Sequence, residues 1–179
     1  MSASNQFKEI KMAIRDAFLP EFDHEMGTTR KTLERVPENN IDWKPHDKSM
    51  TMGRLAGHLV ELPTLVPLAL QHDSIDFRPP GAPPRQPTVM STRKQLLEDF
   101  DKNVAAARAA IAQSSDEDLK KIFTLQAGGK TIFSLPRTAA LRSFILNHII
   151  HHRGQLSVYL RLSNVAVPSI YGPSADEQN

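Results

Sequence analysis

Apolar residues recur three and four positions apart in four long stretches of the chain, and that spacing predicts four helices. The plainest runs from Thr92 to Ala112, where Leu96, Phe100, Val104, Ala107 and Ile111 form one stripe that carries no metal donor. Another runs from Thr51 towards Leu70. Pro63 predicts a kink in it, because the proline ring clashes with the Leu59 carbonyl and one hydrogen bond is lost. A first helix is expected from about Phe7 to Arg35, with Pro20 breaking or kinking it and Gly27 weakening it further. The last spans Pro136 to Leu162, with Ser134 as its cap and a proline in its first turn. Asp76 to Val89 contains Pro79, Pro80, Pro83, Pro84 and Pro87, which excludes helix and predicts a lid or a surface loop. Weak alternation from Ile122 to Phe133 around Ala127-Gly128-Gly129 predicts a short β-hairpin before the last helix. The chain therefore reads as all-α apart from that hairpin, and its length suits a single domain over residues 1–179.

The last helix carries the chemistry. His148 and His152 lie one turn apart and about 40° from each other around the axis, so both imidazoles can reach one point. Leu141, Ile145, Gln155, Leu156 and Tyr159 share their side, while Arg142, Arg153 and Arg161 point away. Two rings turned into an apolar core need partners for their nitrogens, and either a shared metal ion or separate hydrogen bonds can supply them. His148 with His151 is also workable, because three residues apart places side chains on one face. His151 and His152 diverge by about 100° and do not pair on a straight helix.

A metal would need a donor from another element, and His58 is the best placed. Leu55, Leu62 and Leu65 share its helical face, so it too turns inward. Glu61, three residues on, can hydrogen-bond a ligand imidazole or a bound water, or stand as a solvated carboxylate. His24, His46 and His72 show no comparable pairing. Arg153 reads as a solvated or structural arginine and Tyr171 as a packed anchor for the tail. Leu146, Ile149, Ile150 and Leu160 lie away from the His148 side and need cover from the Pro-rich loop, from the tail after Asn164, or from a second subunit.

Composition narrows the partners. Lys plus Arg number 22 against 20 Asp plus Glu, and no basic stripe interleaves with aromatics, so nucleic acid is not expected. Glu61, Pro63 and Pro67 interrupt the longest apolar stretches, and Met1 to Asn5 begin no signal-type apolar region, which predicts a cytoplasmic protein without a membrane span. Cysteine is absent, so disulfides, cysteine zinc sites and a cysteine nucleophile are excluded, and any thiol must come from a bound small molecule.

Two segments carry a resemblance. Gly57-His58-Leu59-Val60-Glu61 and, about ninety residues later, Asn147-His148-Ile149-Ile150-His151-His152-Arg153-Gly154-Gln155-Leu156 resemble the DinB/YfiT-like superfamily of metal-dependent enzymes, which is unrelated to the polymerase that shares the DinB name. Ile41-Asp42-Trp43-Lys44-Pro45 and the tail from Val167 to Ser174 look like the corresponding parts of that group. The resemblance implies a four-helix bundle, a three-histidine site for a divalent transition metal, nickel or zinc, and a homodimer. Carried over by position, the ligands become His58, His148 and His152. His151 is then a neighbour with no settled role and, with Glu61, a weak candidate for catalysis.

Three neutral imidazoles leave at least one coordination position open, as catalytic rather than structural sites do. Such a site can make hydroxide or thiolate available near neutral pH, which predicts hydrolysis or thiol transfer on a small-molecule substrate. Family members resemble low-molecular-weight thiol transferases and a thiol-dependent isomerase, which adds a thiol as co-substrate. The contrasting expectation is a non-catalytic metal-binding or stress-related helical protein.

Overall fold

The computed structural model describes residues 12–83 and 86–177. Its elements in order are α1 (Ile14–Leu33), α2 (Met52–Glu61), α3 (Leu65–Gln71), β1 (Ser74–Asp76), α4 (Arg93–Gln113), α5 (Asp116–Lys120), β2 (Ile122–Ala127), β3 (Lys130–Pro136), α6 (Arg137–Ala139) and α7 (Asn147–Leu162). A 3₁₀ turn, Leu62–Thr64, joins α2 to α3, and a π-helical segment, Ala140–Leu146, joins α6 to α7. The result is a four-helix bundle of α1, α2 with α3, α4, and α6 with α7. α1 packs on α4 and α7, and α2 packs on the same two helices. This arrangement sets α2 directly beside α7.

Local chemistry explains most boundaries. Thr51 and Thr92 cap α2 and α4 by accepting the N–H groups of Arg54 and Gln95. The Ile41 and Trp43 carbonyls accept the Gly53 and Met52 N–H groups, so the Ile41-to-Pro45 segment satisfies the first turn of α2. Pro63 shifts the helix into a 3₁₀ turn, as its lost hydrogen bond predicts. Pro20 does not break α1. It lies on the exposed side, where water can satisfy the Asp16 carbonyl that the proline leaves without its usual donor. The part of the expected first helix from Phe7 to Lys11 lies outside the described residues.

The last helix departs from the expectation of one regular α-helix. Ser134 is not its cap: it belongs to β3, where its hydroxyl pairs with Thr124, and Pro136 ends that strand. The π-helical segment, with its wider i→i+5 turns, lies just before the histidines, a feature that recurs at functional sites.

The hairpin forms as the Gly-Gly turn predicts, with φ of +63° at Gly128 and +76° at Gly129. β1 adds to β2 in parallel, pairing Ser74 with Thr124, so the hairpin is part of a three-stranded sheet. Asp76 ties the sheet together by accepting the N–H groups of Arg78, Gly128 and Gly129 at 2.8, 3.0 and 2.7 Å.

One apolar cluster runs through every long helix and β2. Leu96, Phe100, Ala107 and Ile111 of the α4 stripe are buried, with Val104 at its edge. Leu146, Ile149 and Leu160 are also buried within one chain, with Val165 and Val167 of the tail packed on the same cluster. Covering these residues therefore requires no second subunit.

Candidate metal centre

His58 reaches the site from α2, and His148 and His152 reach it from α7. One ring nitrogen of each lies within 4.8 Å of the other two. His148 and His152 have ring centroids 4.6 Å apart, as residues on successive helical turns should, and the His58 ring is 5.1 and 4.7 Å from theirs. The cluster is half-buried at His58 and His148 and buried at His152. His151 is exposed and outside this group, with its ring centroid 4.9 Å from that of His152.

The surrounding hydrogen bonds fix which nitrogen faces the cluster. His58 Nδ1 is 3.3 Å from Glu61 Oε2. Glu61 is held below the ordinary carboxylate range: burial raises its pKa, but hydrogen bonds from Thr88 and His58 and the charge of Arg54 outweigh that. An ionised carboxylate only accepts, so Nδ1 carries a proton, and in the neutral ring Nε2 is then the atom with the lone pair. His152 Nδ1 likewise stands 2.7 Å from Gln155 Oε1, which directs its Nε2 into the cluster. His58 Nε2 is 3.4 Å from His148 Nε2. Two nitrogen lone pairs at that distance repel unless a proton or a cation lies between them.

The donor set fits a transition metal. Two nitrogens bound at about 2.05 Å on a tetrahedral ion stand roughly 3.3 Å apart, close to the 3.4 Å between His58 and His148. Burial, then the neighbouring His152, His58 and His151, push the His148 imidazole down to about 4, and burial also lowers His152. Both are therefore in the neutral, metal-binding form at pH 7.

Glu61 also fastens the Pro-rich loop. Its Oε1 accepts the Thr88 N–H at 2.7 Å, while Arg54 spans Glu61 Oε2 and the Thr88 carbonyl at 3.3 and 3.2 Å. This docking requires Gly57, since a Cβ there would stand 2.3 Å from the Thr88 carbonyl oxygen. From that anchor the loop forms one wall of a cleft of about 1040 Å³, whose lining includes His58, His148, Glu61 and Arg54. Phe77 to Pro83 and Pro87 of this loop thus line a cleft that opens on the histidine cluster.

Sequence reasoning did not find Arg54, Thr88 or Phe144 as part of this site. A glycine inside the amphipathic α2 was the available signal for the close approach at Gly57. Of the remaining histidines, His46 accepts the Lys48 N–H, His72 ends α3, and His24 stacks on Tyr171 with centroids 6.4 Å apart.

Arg153 is structural and faces away from the cluster. It is 1% exposed and pairs with buried Glu25 at 2.7 Å, and Tyr171 bonds to both through its hydroxyl. Tyr171 anchors the tail by that hydroxyl, but the residue is 66% exposed rather than packed.

Comparison with known proteins agrees with this architecture. A family model described as the DinB superfamily matches residues 21–156. The uncharacterized protein YrdA of Bacillus subtilis strain 168 is 27% identical over 164 residues, covering 90% of each chain. A DinB-like protein from Bacillus cereus ATCC 10987 superposes with a TM-score of 0.66 at 25% identity, covering 89% of this chain and 98% of its own. The DinB-like protein YjoA of Bacillus subtilis shares the fold with a TM-score of 0.64 at 17% identity, covering 87% of this chain and 99% of its own. With the bundle, the adjoining α2 and α7 and the match over most of its length, the chain belongs to the DinB superfamily.

Proposed function

We propose that this protein is a metal-dependent enzyme in which His58, His148 and His152 hold a divalent transition metal, nickel or zinc, and that it acts on a small molecule by thiol transfer or hydrolysis. The observation that carries the reading is the opening of the histidine cluster onto a cleft large enough for an organic substrate. Among the described residues the group has three such donors and no fourth, which suits an open rather than a closed site.

A bound metal supplies Lewis acidity, lowering the pKa of water or of a thiol towards neutrality. The chain's own residues do the rest. Glu61 and Gln155 hold the Nδ1 protons of His58 and His152, so that Nε2 is the donor atom in each. Glu61 stays ionised with both oxygens engaged, which makes it a positioning group rather than a proton shuttle. His151, exposed and outside the cluster, takes no part. Phe77 to Pro83 and Pro87 of the loop form one side of the cleft in which the substrate would lie.

With no cysteine in the chain, the sulfur in a transfer reaction comes from a low-molecular-weight thiol as co-substrate. The cytoplasm, which keeps thiols reduced, suits that chemistry. Among the described residues no helix is long and apolar enough to cross a membrane. We extend the proposal to a homodimer, for which exposed Val158 and Leu162, one turn apart on α7, offer an apolar surface.

The test is turnover by metal-loaded protein of a thiol with a panel of electrophiles, beside a panel of esters and amides. Metal-dependent turnover that disappears in His152→Ala supports the reading. Stoichiometric metal with no turnover in either panel contradicts it and favours a metal-binding protein without catalysis.

A further inference from the structure

The cleft has a chemistry of its own beyond the histidines. Leu65, Phe77, Ile132 and Phe144 line it together with prolines of the loop. Ile132 is 57% exposed although it is apolar. Phe144 connects this wall to the cluster, with its ring 6.3 Å from Phe77 and 5.9 Å from His148. A surface of this size and character favours an extended apolar or aromatic body.

The charges on the lining are unequal. Arg54 is matched by Glu61. Arg78 is exposed on the lining, and its backbone N–H is bonded by Asp76, whose carboxylate also accepts the Gly128 and Gly129 N–H groups. Its guanidinium makes no ion pair with any described residue, and among the described residues no carboxylate besides Glu61 lines the cleft. Among the described residues that line the cleft, Arg78 is the cation without a carboxylate partner. A 2+ ion held by the three imidazoles would add to the same sign of potential.

We infer that the cleft binds an amphipathic organic anion, with its apolar body against Phe77, Ile132 and Phe144 and its acidic group at Arg78. The inference deepens the proposed function by naming the substrate class of the same site, and Arg78 becomes a specificity-determining residue. Neither Arg78 nor the apolar side chains are metal donors, so binding of the body does not require metal.

The experiment is calorimetric titration of metal-free protein, and of His148→Ala, with ω-phenylalkanoates of increasing chain length and their uncharged primary amides. Removing the metal excludes direct ligation by the carboxylate. The expected result is an affinity that rises with each added methylene, by at most about fourfold, and a several-fold preference for acid over amide that fades at high salt. Arg78→Ala should abolish the preference and leave amide binding unchanged, while Phe144→Ala should weaken both series. Equal affinity for acid and amide, or no effect of Arg78→Ala, overturns the inference. The proposed metal chemistry fails separately, on metal content and turnover, while this acid preference persists.

Discussion

His58 and Glu61 form the joint between the metal centre and the Pro-rich loop: His58 Nδ1 is 3.3 Å from one Glu61 carboxylate oxygen, and the other accepts the Thr88 N–H at 2.7 Å. One side chain thus orients a metal donor and anchors the loop. Glu61→Gln should keep the fold and lower metal affinity by about 10- to 100-fold. Competition with a chelating dye measures this, and unchanged affinity would remove Glu61 from the orienting role.

Gly57→Ala should disturb the same joint from the other side. The added methyl would meet Thr88 backbone at 2.3 Å, so the loop anchor must move. We expect a loss of about 1–3 kcal/mol in stability, read from urea midpoints, and weaker metal binding as Glu61 loses the Thr88 N–H. A variant as stable as the parent would place the loop elsewhere in solution.

Gly154 gives the opposite sign. It lies inside α7 and an added Cβ meets nothing within 4 Å. Gly154→Ala should therefore stabilise the isolated chain by about 0.5–1 kcal/mol. A loss of stability would indicate that something packs closely on this face, such as the second subunit of the proposed homodimer.

Arg153→Met leaves Glu25 as a buried carboxylate without its cation, and should cost about 3–5 kcal/mol. Thermal denaturation of the single variants and of the double variant Arg153→Met with Glu25→Gln checks it. The double variant should recover part of the loss, because no buried charge is left uncompensated.

Metal-free protein should lose stability as the pH falls from about 6.5 towards 4. Burial first, then neighbouring histidines, lower the His148 pKa from 6.5 to about 4. In that window the unfolded chain binds a proton that the folded chain refuses, so stability rises with pH across it. The difference in urea midpoint between the parent and His148→Gln should vary across this range and level off above it. A difference that is constant with pH would mean that His148 titrates normally in the fold.

The helices were legible wherever one face is uniformly apolar, as in α4, and wherever a cap or breaker marks an end, as at Thr92 and Pro63. The helix expected from about Phe7 to Arg35 includes all of α1, but the break or kink expected at Pro20 does not form, and Thr28, Thr29 and Thr32, buried with their hydroxyls bonded to carbonyls one turn back, blur its apolar period. The parallel partner β1 is three residues long and the π-helical segment has ordinary helical composition, so neither left a periodic trace. In the site, the i,i+4 spacing brings His148 and His152 together on one face, whereas His58 enters through the side-by-side packing of α2 and α7. The roles of Thr88, Arg54 and Arg78 depend on how the loop folds back, which local sequence does not encode.

The most direct test is the transition-metal content of tag-free protein purified without chelator or metal column, beside His58→Ala, His148→Ala and His152→Ala. The account predicts near-stoichiometric metal in the parent and its loss in each variant while helical circular dichroism is retained. Absence of metal from the parent after reconstitution with nickel or zinc, or full retention in the variants, would contradict the three-histidine centre.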